Sequence, residues 1–228
     1  MIDVVYNHTS HDSVLLEKHP EYFMHKDGKL VSKEPEWSDV QDLDYNADKR
    51  LWTELVDTLL FWMDMGVDGF RFDVGSFLPL EFLEFAENRM RKQNPEIILL
   101  SESVHGHYLR RMRNKGFNVL SESEIYQAFD MAYDYDVQPY FDAYLSGSGT
   151  LDTYLQEILR QEEIYPQNYV KMRNLENHDY GRFAERVQAD PIKVDNWTSF
   201  AFFEKGSIMM YAGEEFTATH LPSLFEKE

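Results

Sequence analysis

Six short runs of β-branched, aromatic and aliphatic residues recur along the 228-residue chain, each separated from the next by a longer stretch, several with helical periodicity. They are Ile2 to Tyr6, Gly66 to Phe72, Ile97 to Ser101, Phe117 to Leu120, Tyr169 to Leu175 and Ser207 to Tyr211. Parallel strands joined by helical crossovers produce this alternation, so it confines the chain to the α/β class. Helices are predicted over Asp48 to Met65, with Leu51, Leu55, Leu59 and Trp62 on one apolar face, and over Pro79 to Lys92. In the second, Pro79 suits the first turn, Glu81 and Glu84 sit near the positive end of the helix dipole, and Arg89 to Lys92 sit near the other end. Further helices are predicted over Ile125 to Leu145, Leu151 to Gln161 and Asp195 to Glu204. His8 to Tyr45 is too long for an ordinary βα connection and, with Pro20, Gly28, Pro35 and Trp37, reads as an irregular functional excursion.

Composition removes several classes of function. Forty-one acids against 22 Lys and Arg give a formal charge of −19, which repels phosphate backbones and anionic lipid; nucleic acid and membrane are not expected partners. Without cysteine there is no disulfide, zinc-thiolate site or thiol nucleophile. Met1 is followed at once by Ile2-Asp3-Val4-Val5-Tyr6, with no signal-peptide pattern, which reads as a cytoplasmic protein. The same abrupt start inside a strand leaves an upstream N-terminus, and with it secretion, open.

Polar residues gather where the apolar runs end, as they do at the active-site rim of a parallel barrel. Asn7 and His8 follow the first run; in Gly69-Phe70-Arg71-Phe72-Asp73 the two phenylalanines face one side, Arg71 and Asp73 the other; Ser101-Glu102 ends the third run and Glu176-Asn177-His178-Asp179 the fifth. Asp73, Glu102 and Asp179 at three strand ends suit glycosidic cleavage, which needs an ionised carboxylate at the anomeric carbon and a protonated one at the leaving oxygen. Arg71 favours the charged form of Asp73, as a nucleophile requires, whereas Glu102, after four apolar residues and among acidic neighbours, is expected to hold its proton. Weaker alternatives are that Arg71 and Asp73 form only a buried structural ion pair, and that His105 and His107 form a metal site with Glu102.

Asp3-Val4-Val5-Tyr6-Asn7-His8, Gly69-Phe70-Arg71-Phe72-Asp73, Glu102 after its strand and Glu176-Asn177-His178-Asp179 together resemble the four short blocks of the α-amylase family, glycoside hydrolase family 13. Val40-Gln41-Asp42-Leu43-Asp44 is similar to its fifth block, and the run from Tyr169 to Asp179 with Ser223-Leu224-Phe225-Glu226 resembles the compact α-amylases of lactic acid bacteria. The resemblance implies a (β/α)8 barrel and a retaining, double-displacement attack on α-glucosidic bonds of α-glucans or maltooligosaccharides. Asp73 would be the nucleophile, Glu102 the acid and base, Asp179 the third acid, and His8, His178 and Arg71 the groups that hold the sugar or orient Asp73. No cofactor is implied for the chemistry. Asn7 occupies a position that ligates structural calcium in many members; against a calcium here, Val74-Gly75-Ser76-Phe77 lacks the Lys-His pair that many carry after the nucleophile.

The first run would be barrel strand three and the last strand eight, so residues 1–228 read as one incomplete catalytic barrel domain with 9–45 as a shortened inserted loop. Two unpaired sheet edges would then make this piece self-associating or inactive alone. Two alternatives stand beside hydrolysis: a transglycosylase of the same fold, and a non-catalytic carbohydrate-binding relative. A metal-dependent hydrolase using His8, His105 or His178 is a further one.

Overall fold

The computed structural model describes residues 1–34 and 36–224; Pro35 and the Phe225-Glu226 end of the tail motif lie outside them. The chain divides into two compact units, Met1–Ala132 and Tyr133–Glu228.

In the first unit β1 (Ile2–Val4) leads into an excursion made of β2 (His8–Ser10), α1 (Val14–Lys18), β3 (His25–Lys26), β4 (Lys29–Leu30) and β5 (Val40–Asp42). The excursion is therefore not irregular. β2 and β5 pair antiparallel with His8 opposite Asp42, and β3 and β4 form a hairpin closed by Asp27-Gly28. Both turn residues have positive φ, 51° and 74°, the backbone that a two-residue primed turn demands and that Asp-Gly supplies.

After α2 (Arg50–Asp64) the chain alternates β6 (Gly69–Phe72), α3 (Leu80–Gln93), β7 (Ile98–Ser101), α4 (Gly106–Asn114), α5 (Glu122–Ile125) and β8 (Met131–Tyr133). Leu51, Leu55 and Leu59 bury one face of α2 as their spacing predicts. Trp62 does not join them: it is exposed and Met63 takes the last core position, one residue round the helix. α3 begins after an extended Pro79 and carries Glu81 in its first turn and Arg91 and Lys92 in its last.

β1, β6, β7 and β8 are parallel neighbours in that order. Phe70 and Phe72 enter the same apolar core as Val4 and Leu99, which leaves Arg71 to the opposite face. In this register Val4 lies beside Phe72, and Phe72 beside Ser101. Backbone hydrogen bonds from Asp73 N–H to Val4 O and from Glu102 N–H to Phe72 O, each 3.0 Å, carry the pairing past the strand ends. Asp73 and Glu102 are thereby placed on one rim of the sheet.

Two predicted elements are corrected here. Phe117 to Leu120 is not a strand: Leu120 donates to Ser76 O, while Val119 packs with Val74, Phe77 and Met112. The strand is instead Met131–Tyr133, inside the predicted helix Ile125 to Leu145, and its Met131 and Ala132 pair with Leu100 and Ser101. An apolar run is buried either way, and what separates the two is which backbone finds a ladder partner.

The second unit contains α6 (Gln138–Leu145), α7 (Leu151–Ile164), β9 (Val170–Arg173), α8 (Phe183–Arg186), α9 (Pro191–Phe203) and β10 (Ser207–Ile208), with β9 and β10 parallel. Its core gathers Phe141, Tyr154, Leu175, Phe183 and Val194, with Trp197 edge-on to Phe141. The aromatic stripe Tyr133, Tyr135, Tyr140, Phe141 and Tyr144 is thus split between β8, the loop after it and α6. No described helix is long and apolar enough to cross a membrane.

Candidate active site

One guanidinium organises the rim of the first unit. Arg71 Nη1 donates to Asp73 Oδ1 at 2.8 Å and to both oxygens of Asp3 at 2.9 Å, while Nη2 lies 2.9 Å from Glu102 Oε2. Arg71 is almost wholly buried, so its planar fork is fixed, and a fixed fork holds two carboxylates in a defined relation as a flexible ammonium could not. The pairing of Arg71 with Asp73 expected from strand alternation is present. Glu102 Oε2, besides facing Arg71, accepts the Val74 N–H at 2.8 Å. Asp3, opposite Arg71 in the register of β1 and β6, was not singled out by its sequence context; only the pairing of the two strands reveals it.

The turn after Asp73 is tightly constrained. Val74 has a left-handed backbone, φ 43° and ψ 42°, rare for a β-branched residue, and it is this conformation that aims its N–H at Glu102. Gly75 follows where a Cβ would collide with Ser101 Oγ on β7. The turn therefore lies against the strand that delivers Glu102.

His8 stands on the other side of Asp73, with Nε2 4.0 Å from Asp73 Oδ2. Its Nδ1 lies 3.1 Å from Asn7 Nδ2. Asn7 Oδ1 is already the acceptor for Lys33 Nζ at 2.6 Å, so the Asn7 amide must present its NH2 to the ring. His8 Nδ1 then accepts, and a neutral ring carries its proton on Nε2, toward Asp73. Trp37 packs on His8 with centroids 5.8 Å apart and on Phe77 at 6.0 Å, which joins the excursion to the rim.

The donors around Asn7 do not suit a calcium ion. Asp42 Oδ2 accepts the Lys33 N–H at 2.7 Å and Oδ1 accepts Asn7 Nδ2 at 3.4 Å, so the oxygens a metal would need are engaged by hydrogen-bond donors. Burial lowers the Lys33 ammonium below the usual lysine range, and Asp42 and Asp44 act against that shift. His105 and His107 stack on one another at the start of α4, and no cluster of three or more His, Asp or Glu suited to a metal occurs among the described residues.

In the second unit the Glu176 to Asp179 block divides into scaffold and presented groups. Buried Glu176 is paired with Arg182 Nη1 at 2.5 Å and accepts the Phe183 N–H. Buried Asn177 accepts the N–H groups of Asp179 and Tyr180 at 2.8 and 3.1 Å, an Asx turn, and donates to Tyr135 Oη. What the turn leaves at the surface is His178 and Asp179, 3.3 Å apart. The structure thus brings His8, Arg71, Asp73 and Glu102 together in one unit, and His178 and Asp179 together in the other.

The family described as Alpha amylase, catalytic domain, matches residues 1–227. An α-amylase from Lactobacillus plantarum is similar in structure with a TM-score of 0.93 and 44% identity, covering 100% of this chain and 53% of its own. A maltogenic α-amylase from Thermotoga neapolitana gives 0.82 and 31%, covering 98% and 48%. Among curated proteins, an α-1,4-glucan:maltose-1-phosphate maltosyltransferase from Picrophilus torridus is 27% identical over 147 residues, 58% of this chain and 23% of that protein. The chain therefore spans about half the length of these solved structures and about a quarter of that transferase. Its parallel strands and the helices between them are part of a (β/α)8 barrel, and the chain belongs to the α-amylase family of glycoside hydrolases.

Proposed function

We propose that this chain carries the catalytic groups of a retaining α-glucoside hydrolase acting on α-glucans or maltooligosaccharides. The observation that carries this reading is the single buried guanidinium of Arg71 in contact with both Asp73 and Glu102 at adjacent strand ends. Asp73 attacks the anomeric carbon and forms a glycosyl-enzyme while Glu102 gives its proton to the leaving oxygen; Glu102 then takes a proton from the water that releases the sugar. His8, with its proton on Nε2, is placed to donate to a sugar hydroxyl beside Asp73. Asp179 and His178 are assigned to the sugar's hydroxyls from their place in the family's block.

Transfer to a second sugar in place of water is the second reading, favoured by the match to maltosyltransferases. Both readings are tested on the full-length enzyme with maltooligosaccharides, with and without maltose 1-phosphate as donor. Free reducing sugar of α-configuration supports hydrolysis, whereas chain elongation from the phosphate donor supports transfer. Asp73→Asn and Glu102→Gln should each lower either rate by about 10³-fold or more with the fold retained. Parent-level activity in the Glu102→Gln protein would refute the acid and base assignment.

A further inference from the structure

Lys33 occupies an unusual place for a lysine. It lies in the excursion, half-buried, and touches the two fully buried polar side chains that join the excursion to the rim, Asn7 through its ammonium and Asp42 through its N–H. Asn7 and Asp42 also bond one another, which closes a ring of three residues from β5, from the loop after β1 and from the segment before β5.

A divalent ion at such a junction would bind the Asn7 carbonyl oxygen and the Asp42 carboxylate, and calcium needs about six to eight oxygens at about 2.3–2.6 Å. Here the Asn7 oxygen already faces an ammonium at 2.6 Å. Asp42 has one oxygen on a backbone N–H and the other on the Asn7 amide. Positive charge and hydrogen-bond donors are both supplied by the chain.

The next residue strengthens the junction independently. Glu34, buried, accepts from Tyr108 Oη at 3.1 Å, pairs with Arg111, and has Lys115 Nζ 3.6 Å away. Consecutive residues thus bind the excursion to the loop after β1 on one side and to α4 and its C-terminal end on the other.

We infer that the Lys33 ammonium is a built-in cation that holds Asn7 and Asp42 together in place of a divalent metal, and that the protein keeps this junction closed without calcium. Through the orientation it imposes on Asn7, Lys33 also positions the His8 ring beside Asp73.

The test uses the full-length protein and reads heat stability and metal binding, so it does not depend on the catalytic reading. The parent protein should keep its Tm in excess EDTA and in millimolar calcium chloride, and should bind no stoichiometric calcium by titration calorimetry. Lys33→Met keeps the aliphatic stem and removes the charge; its Tm should fall by roughly 5 °C. The His8 ring should also lose its single Nε2-protonated 15N signature in that variant. A parent protein that loses Tm on chelation and binds one calcium per chain would overturn the inference, as would a Lys33→Met protein as stable as the parent. Should Lys33→Met fail to fold, the chelation and calcium titration of the parent decide alone.

Discussion

Arg71 shows how much a single side chain can settle. Its neighbours in sequence identify Asp73 as a partner, since the two alternate onto one strand face, but Asp3 and Glu102 come from other strands and depend on a register that no local pattern prints. A lysine at this position would keep the charge but has one compact ammonium where three carboxylates are held by a fork. Arg71→Lys should therefore lower kcat/KM by about 10²-fold or more while shifting Tm far less, because misplacement of reacting groups costs more than the loss of one ion pair. Steady-state kinetics and a melting curve on the same preparation check this. A histidine illustrates the opposite case. The place of His8 just after the first apolar run is printed in the sequence, whereas Lys33 and Glu34 carry no signal beyond being two charges in a loop.

At the level of elements, the strands that deliver the site were readable because β-branched and aliphatic runs sit between helices of clear periodicity. The misplacement of one strand by fourteen or so residues has a physical source: Val119 and Leu120 are as buried as a strand would make them, yet pack side chains without pairing a ladder. The excursion was recognised by length but not by content, although Asp27-Gly28 between two-residue runs is a hairpin signal. Its attachment to α4 rests on Glu34. Burial, then Glu34, pushes the Tyr108 phenol up to about 12. Glu34→Ala should bring that titration back toward the usual tyrosine value, visible by ultraviolet absorbance. It should also destabilise by about 2 kcal/mol in urea unfolding, less than for a wholly buried pair since Arg111 is exposed.

For the whole molecule, the formal charge of −19 invites a simple expectation that stability is governed by surface repulsion. Two acids of the second unit, half-buried Glu204 and buried Glu214, make a more specific contribution. Burial pushes Glu204 up to about 7, opposed by Arg173 and reinforced by Asp134, and its Oε1 has no hydrogen-bond partner among the described residues. Glu214 is likewise pushed up to about 7 by burial, against the Tyr211 N–H that it accepts. A carboxyl with a folded pKa of about 7 holds its proton where the unfolded chain has released it. The folded state therefore binds more protons between the ordinary value of 4.5 and about 7, and stability falls as pH rises through that window. Glu204→Gln removes the charged form and should gain stability relative to the parent at pH about 8 over pH about 5, by an order of 2 kcal/mol. Chemical unfolding of both proteins at the two pH values checks the sign as well as the size.

The pairing of His8 with Asp42 has a consequence for how such a molecule can change. Everything from residue 9 to residue 41 leaves and re-enters through one short antiparallel gate, and its far end is a two-residue turn between β3 and β4. Peptide spliced at Asp27-Gly28 therefore lengthens the tip without entering the ladder at its base or the Lys33 and Glu34 attachments beside it. Diversity in what lies above the rim can then accumulate there while the gate, and the histidine it carries, keep their register.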